Sequence, residues 1–425
     1  MGTPMPLDAA SASEDLRRLY RCVRQQTGSL AAGLSDADAT AQSMPDASPA
    51  KWHLAHTTWF FEAMVLQAQV ADYRPFDPQY AFLFNSYYET MGPRHARPKR
   101  GLLTRPTLTQ VNRYRQHVDQ AVENLLDHSP APSIRLLIEL GCHHEQQHQE
   151  LLLTDILNLF AENPIHPAYA PLRRESRPAV LMSPLTYTPY PGGVVEIGHC
   201  GTGFAFDCEA PRHRVIRTAY QLANRCVTNR DWLEFMADGG YRTPLLWLSD
   251  GWSESQRQGW TMPLYWWDEG GAYFSMTLHG ARPLELDAPV AHVSFFEADA
   301  FASWSGKRLP TEAEWESAAE HEPCEGNFAD SGLLRAAPTT GIGLGPQQLF
   351  GDVWEWTRSA FAPYPGYRPS AGAVGEYNGK FMSGQYVLRG GSCVTPANHI
   401  RPSYRNFFRP DARWQFSGVR LAQDA

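Results

Sequence analysis

A dense cluster of prolines in the middle of the chain limits what this sequence can fold into. Between residues 163 and 193 the prolines are Pro164, Pro167, Pro171, Pro178, Pro184, Pro189 and Pro191. Proline has no amide hydrogen, so neither a helix interior nor a central strand tolerates this density. We therefore predict a linker over residues 166–193 between an N-terminal domain, 1–165, and a C-terminal domain, 194–425. Two domains also fit the 425-residue length, since domains typically hold ~100–200 residues.

The two flanking segments differ in their hydrophobic pattern. In the first, apolar residues recur at helical spacing, as at Val111, Tyr114, Val118 and Val122, in four amphipathic stretches separated by helix breakers. The second has short apolar runs between stretches rich in Gly, Trp and Tyr. The sequence therefore predicts an α+β multidomain protein, in which a four-helix bundle is followed by an irregular, loop-rich α+β domain.

Charge, hydropathy and cysteine usage exclude several classes of protein. The 37 Lys and Arg against 45 Asp and Glu give a net charge of −8, which argues against a nucleic-acid partner. Nowhere do 18 apolar residues run together, so we expect no membrane span. The seven cysteines are scattered without a CxxC pair, which is typical of reduced thiols in a cytoplasmic protein.

A polar interruption in the fourth amphipathic stretch points to a metal site. It reads HHEQQHQE over residues 143–150. His144 and His148 are four residues apart and share one helical face, so both imidazoles can reach one ion. His56 lies in the core-facing series of an earlier helix, between Trp52 and Trp59.

The three histidines together suggest a metal centre rather than a set of hydrogen-bonded core histidines. Without a ligating cysteine, His56, His144 and His148 make a neutral imidazole set that suits Fe, Zn, Cu or Ni and leaves coordination positions open. His143 points elsewhere, and His53 lies about a quarter turn from the line of core residues. We predict His56, His144 and His148 as the metal ligands.

A zinc-protease interpretation competes for the same residues. The string over residues 144–148 satisfies HExxH, in which Glu145 would be the general base. Such a site needs a third ligand soon afterwards, but the next histidine is His166, beyond the helix. The context therefore disfavours a protease.

With these motifs in place, the chain resembles the sulfoxide synthases of ergothioneine biosynthesis, which join a DinB-like helical bundle to a domain of the formylglycine-generating-enzyme type. The bundle half of the resemblance is carried by WHLAH over residues 52–56 and HxxxHxE over 144–150. The second half is carried by RLPTEAEWE over 308–316, GDVWEWT over 351–357 and RGGS over 389–392.

The resemblance implies both a cofactor and a reaction. It assigns iron(II) to His56, His144 and His148. The implied reaction joins the sulfur of cysteine or γ-glutamylcysteine to imidazole C2 of Nα-trimethylhistidine (hercynine), and O2 oxidises the sulfur to a sulfoxide. Three open iron positions would suit the thiolate, the substrate imidazole and dioxygen.

The resemblance also directs attention to residues that would handle the substrates. A cationic loop over 93–100 contains Arg94 and Arg97, which are candidates for binding the carboxylate of the thiol substrate. Tyr87 and Tyr88, immediately before this loop, are candidate proton donors.

Hercynine carries a quaternary ammonium group and an imidazole, and the protein would need residues that bind each of them. Aromatic faces bind such ammonium groups, and the resemblance places part of that pocket in the C-terminal run, where Trp414 and Phe416 are the candidates. Gln147, beside His148, is a candidate to hydrogen-bond the substrate imidazole or a ligand water.

Three other functions are weighed against this one. An ovothiol-type 5-histidylcysteine sulfoxide synthase would couple cysteine to unmethylated histidine at a different ring carbon. A non-catalytic metal- or ligand-binding protein would use the same scaffold without turnover. Sulfatase activation is disfavoured, because formylglycine-generating enzymes carry a cysteine pair shortly after RGGS and only Cys393 stands there.

Overall fold

The computed structural model describes residues 9–172, 184–201, 203–339 and 345–425. Residues 173–183 of the predicted linker lie outside these ranges. The chain forms two compact units, Met1–Glu162 and Asn163–Ala425. Among the described residues, no helix combines the length and the apolar character that crossing a membrane requires.

The first unit is helical, as the spacing of apolar residues predicts. Its helices are α1 (Ala9–Ala31), α2 (Asp36–Thr40), α3 (Ala50–Phe60), α4 (Gln67–Gln69), α5 (Tyr80–Phe84), α6 (Leu108–Asp127) and α7 (Pro132–Ala161). A π-helical turn, Phe61–Leu66, joins α3 to α4 in one continuous run. The long helices α1, α3, α6 and α7 pack on one another, which confirms the four-helix bundle.

Gly141 sets how closely α7 approaches the helical run that starts with α3. A Cβ built on Gly141 would lie 2.4 Å from Cε1 of Phe61, whose ring is fully buried. Glycine inside a helix costs about 0.5–1 kcal/mol relative to alanine, so its presence here is explained by the contact. The close approach brings the middle of α7 against α3.

A buried carboxylate ties α7 to two other helices. Glu145 on α7 accepts hydrogen bonds from Arg24 Nη1 of α1 at 2.7 Å and from Arg115 Nη2 of α6 at 2.9 Å. Burial raises the pKa of Glu145, but the two guanidinium groups outweigh it and hold the pKa below its usual value. The carboxylate is therefore charged at neutral pH and fixes the rotation of α7.

The second unit combines short strands with helices and long loops. Its strands are β1 (Tyr187–Tyr190), β2 (Gly193–Ile197), β3 (His213–Arg217), β4 (Tyr220–Ala223), β5 (Trp266–Glu269), β6 (Ala272–Thr277), β7 (Gly280–Pro283), β8 (Trp354–Ala360), β9 (Tyr386–Arg389), β10 (Asn406–Phe408), β11 (Ser417–Gly418) and β12 (Ala422–Asp424). Its helices are α8 (Asn229–Ala237), α9 (Ser249–Gln258), α10 (Phe295–Trp304) and α11 (Glu312–Ala319). This is the irregular α+β domain that the sequence predicts.

The described strands form four small sheets. Their orders are β1-β4-β12, β10-β9-β8-β11, β2-β3 and β5-β6-β7. All neighbouring strands are antiparallel except β11 and β8, which are parallel. Because β12 lies beside β4 and β11 beside β8, the last residues of the chain close two of these sheets.

The predicted linker is longer than the structure allows. Strand β1 lies within 166–193 and pairs with β4 from Tyr187 opposite Ala223 to Tyr190 opposite Tyr220. Strand β1 is at the edge of its sheet, and an edge strand can accommodate Pro189 because its outer side has no ladder to complete. The second unit's sheets therefore begin before residue 194.

The motifs of the second half form the core of the second unit. Trp315, Trp354 and Trp356 are fully buried. The Glu355 carboxylate accepts hydrogen bonds from Trp315 Nε1 at 2.7 Å and from Arg420 Nη2 at 2.7 Å. These residues act as scaffold, which matches the structural role that their types suggest.

We predict that Glu145→Gln lowers the free energy of unfolding by about 3–5 kcal/mol at pH 7, because it removes the carboxylate that pairs with buried Arg115 and leaves buried Arg24 with Asp119 as its carboxylate partner. Since the folded-state pKa of Glu145 is lowered, its contribution is present at neutral pH and is lost as the pH falls through that pKa. Urea unfolding at several pH values measures both effects.

The matched control is Glu123→Gln, which removes a partly exposed carboxylate that pairs with the exposed Arg21 at the surface. Exposed pairs contribute little, so this variant should unfold at nearly the wild-type urea concentration. Equal destabilisation by the two substitutions would contradict the role assigned to Glu145.

Candidate metal centre

Three buried histidines converge between α3 and α7. Each of His56, His144 and His148 offers one ring nitrogen, and these atoms all lie within 4.8 Å of one another. The ring centroids are 4.9 Å apart for His56 and His144, and 4.7 Å apart for the other two pairs. The structure thus brings together the three histidines that the sequence predicts as ligands, which we call the triad.

The orientation of His56 is fixed by its surroundings. Its Nδ1 lies 2.6 Å from the carbonyl oxygen of Phe84, so Nδ1 carries the proton and donates it. The ring also stacks on Trp52 and Trp59, with centroid distances of 4.6 and 5.6 Å. Nε2 is left with its lone pair facing Nε2 of His144 at 3.2 Å.

Burial keeps all three imidazoles neutral. It lowers the pKa of His144 to about 3 and, together with the neighbouring histidines, lowers the pKa of His56 and His148 well below the usual value. Neutral imidazoles that direct their nitrogens at one point have the chemistry of a first-row metal site. The residues present therefore fit a divalent metal ion.

The position of Glu145 excludes the zinc-protease interpretation. A general base must face the metal and its bound water. Glu145 is fully buried and is held by Arg24 and Arg115. Its carboxylate therefore cannot act on a water at the three histidines.

His53 lies outside the triad but is part of its surroundings. It is buried, and its Nδ1 is 2.8 Å from Nδ1 of His148. Its Nε2 is 3.0 Å from Oδ2 of Asp155 on α7. Sequence reasoning excluded His53 as a ligand and did not identify this contact, although Asp155 follows His148 by two helical turns and shares its face.

The segment after α5 brings Tyr88 close to Trp59 of α3. Tyr88 is fully buried, and its ring centroid lies 5.5 Å from that of Trp59, which stacks on His56. Asn85 pins the segment, since its side-chain nitrogen donates to the carbonyl oxygen of Tyr88 at 3.0 Å. Tyr87 is half-buried and stacks on Tyr88 at 4.7 Å.

The cationic loop has two exposed arginines and one buried arginine. Arg94 and Arg97 are exposed, and they bond to the carboxylate of Glu89 and the carbonyl oxygen of Asp46, respectively. Arg100, which sequence reasoning did not select, is buried, and its guanidinium carbon lies 3.3 Å from the Trp52 ring centroid.

The environment of Arg100 is unusual for a buried cation. Its hydrogen bonds go to the hydroxyls of Ser48, at 2.9 Å, and Ser86, at 3.3 Å. Burial and the nearby Arg97 and Arg94 lower its pKa to about 8. Arg100 differs from the other cations of the loop in its burial, which no signal in the sequence reveals.

The remaining candidates have separate surroundings. Gln147 is half-buried on α7, next to His148. In the second unit, Phe416 is buried, with its ring centroid 4.6 Å from that of His292. Trp414 is half-buried, with its ring centroid 6.2 Å from that of Phe408. The two aromatic candidates therefore contact different neighbours.

Two domain families match the chain. The Sulfatase-modifying factor enzyme 1-like domain matches residues 187–338 and 339–425, and the DinB superfamily matches residues 19–152. The three histidines lie in the segment that matches the DinB superfamily. This confirms the domain types that the motifs predict.

Curated relatives match almost the whole chain. A hercynine oxygenase of Mycolicibacterium thermoresistibile is 33% identical over 92% of this chain and 90% of its own length. The hercynine oxygenase of Mycobacterium tuberculosis is 32% identical over 92% of this chain and 94% of its length. A formylglycine-generating enzyme of Streptomyces coelicolor is 31% identical over 55% of this chain and 88% of its length.

We predict that His56→Ala, His144→Ala and His148→Ala each weaken Fe(II) binding by more than the ~10–100-fold that is typical of changes outside the ligand set. Removal of a ligand leaves two imidazoles, which hold a first-row metal poorly. Anaerobic titration with Fe(II) against a competing chelator measures the affinity.

The matched control is His143→Ala, on the same helix and adjacent to His144. It should retain most of the wild-type affinity. Wild-type affinity in the His56→Ala protein would contradict the assignment of the triad.

Proposed function

The chain belongs to the hercynine oxygenase family, and from this premise we propose that it is a non-haem iron(II) sulfoxide synthase. The proposed reaction uses O2 to form a C–S bond between imidazole C2 of hercynine and the sulfur of cysteine or γ-glutamylcysteine. In the product, this sulfur is oxidised to a sulfoxide. The enzyme is an oxidoreductase, as its relatives are.

The observation that carries the proposal is the convergence of three buried, neutral histidines. By themselves they suit several first-row metals. Oxygenase chemistry needs a redox-active group, and zinc has no redox chemistry. Iron is therefore the metal that best joins this donor set to the reaction of the family.

Iron bound by His56, His144 and His148 would supply a Lewis-acidic, redox-active centre with open positions for thiolate, imidazole and dioxygen. The role of the chain is to hold the two organic substrates in reach of each other. Such positioning can account for much of a rate enhancement, because it replaces the encounter of separate molecules.

The arginines of the cationic loop are proposed to bind the carboxylate of the thiol substrate. Arg94 and Arg97 are exposed, and their present partners are a loop carboxylate and a backbone carbonyl. A substrate carboxylate can replace these partners with a two-pronged, charge-assisted contact. Arg100 adds a buried positive charge next to Trp52, which favours an anion at this end of the site.

Tyr87 and Tyr88 are proposed to supply a hydroxyl donor, because the reduction of O2 consumes protons. The burial of Tyr88 supports the proposal, since its ring lies 5.5 Å from that of Trp59, which in turn stacks on His56. Trp414 and Phe416 are proposed to face the ammonium group of hercynine, and Gln147 to hydrogen-bond its imidazole.

The proposal is tested by loading the protein with Fe(II) without oxygen and then measuring oxygen uptake. Cysteine and γ-glutamylcysteine are each paired with hercynine or with unmethylated histidine, and the products are analysed by mass spectrometry. We expect uptake and a sulfoxide with hercynine. A product formed only from histidine would favour the ovothiol-type reaction, and no uptake with any pair would contradict catalysis.

We predict that Arg94→Ala or Arg97→Ala raises the KM for the thiol substrate much more than the KM for hercynine. A lost carboxylate contact affects only the substrate that carries that carboxylate, by about 1.5–3 kcal/mol for a charged hydrogen bond. Steady-state kinetics with each substrate varied in turn measures the two constants. Equal increases in both would indicate a scaffold role.

We predict that Tyr88→Phe or Tyr87→Phe changes the product mixture while metal and substrates still bind. The substitution keeps the ring and removes only the hydroxyl. Oxidation should then divert toward the sulfinic acid of the thiol, without C–S bond formation, as mass spectrometry would show. Wild-type product at the wild-type rate from both variants would place the donor elsewhere.

A further inference from the structure

A buried chain of hydrogen bonds leads away from the metal triad through His148. Nδ1 of His148 lies 2.8 Å from Nδ1 of His53, so this nitrogen is engaged by His53 and Nε2 is the one that remains for a metal. The other nitrogen of His53, Nε2, lies 3.0 Å from Oδ2 of Asp155. All three side chains are buried, so water does not compete for these contacts.

Metal binding allows only one arrangement of protons along this chain. A neutral imidazole that gives the lone pair of Nε2 to a metal must carry its proton on Nδ1. The Nδ1–H of His148 therefore donates to Nδ1 of His53, which must be the unprotonated nitrogen of that ring. His53 then carries its proton on Nε2 and donates it to the carboxylate of Asp155.

The carboxylate at the end of the chain is held in place independently. The backbone N–H of Ser48 donates to the same Oδ2 of Asp155 at 2.8 Å. The hydroxyl of Ser48 accepts a hydrogen bond from Arg100 Nη1 at 2.9 Å. Asp155 is therefore fixed to the start of α3 as well as to its own helix α7.

We propose that His53 and Asp155 are positioning residues for the metal ligand His148. They fix its tautomer and ring orientation, and the carboxylate makes its Nε2 a stronger donor through the intervening imidazole. The proposal rests on the metal site of the proposed function. Nδ1 of His56 instead donates to the neutral carbonyl oxygen of Phe84, so two ligands of one centre are supported differently.

The proposal explains why a second histidine stands three residues before His56 without pointing into the triad. A carboxylate in direct contact with His148 would donate nothing further, whereas an imidazole both accepts from His148 and donates to Asp155. Hydrogen bonds behind a metal-bound histidine raise its basicity and restrict its rotation. His53 performs this role without touching the metal.

The test compares two substitutions of His53 in the full-length protein. His53→Leu removes the acceptor, whereas His53→Asn places an amide oxygen close to the former position of Nδ1 and can still accept from His148. Co(II) alone is the probe, because its visible absorption spectrum reports the ligand set as well as the affinity. Near-ultraviolet circular dichroism of the metal-free proteins checks the fold.

We expect His53→Leu to weaken Co(II) binding about 10–100-fold and to shift the Co(II) absorption bands. His53→Asn should regain most of the lost affinity and the wild-type bands. Asp155→Asn keeps the shape of the side chain but loses its charge, and it should weaken binding about 10-fold. His143→Leu, the buried control on α7, should match the wild type.

Wild-type affinity and spectrum in His53→Leu would overturn the proposal. So would a folded His53→Asn protein that binds no better than His53→Leu. If His53→Leu does not fold, Asp155→Asn decides the question by the same two readouts. Wild-type Co(II) affinity in His56→Ala would instead contradict the assignment of the metal site. That result would overturn the proposed function, whereas the results above overturn only the role of His53 and Asp155.

Discussion

The packing of α7 against α3 is the constraint on which the metal centre depends. Gly141 lets α7 approach the ring of Phe61, and one turn later Nε2 of His144 lies 3.2 Å from Nε2 of His56. The ion pairs of Glu145, next to His144 on α7, fix the rotation of the helix. Helix spacing and helix rotation are thus set by residues that never touch the metal.

The HExxH motif over residues 144–148 correctly indicates two of the three predicted ligands. It wrongly suggests that Glu145 is the general base of a zinc protease. The i, i+4 spacing of His144 and His148 follows directly from helix geometry, and so does the core position of His56. The role of Glu145 does not follow, because it depends on Arg24 and Arg115, which are distant in sequence. The fold class and the triad could therefore be predicted, but the ion-pair cluster could not.

The features that sequence reasoning missed all depend on long-range contacts. The link from His53 to Asp155 joins α3 to α7, and the burial of Arg100 results from its packing on Trp52. The end of the predicted linker was misplaced because an edge strand accepts Pro189, whereas a central strand would not. Patterns within one element are visible in the sequence, but partners between elements are not.

The central claim is that three histidines of the bundle hold iron and leave room for the thiol substrate. X-ray absorption at the iron edge of the Fe(II)-loaded protein tests it most directly, with and without cysteine or γ-glutamylcysteine. The account predicts three imidazole ligands in both samples and a sulfur neighbour only after the thiol is added. Iron surrounded by oxygen ligands alone, or the same spectrum in His144→Ala, would contradict it.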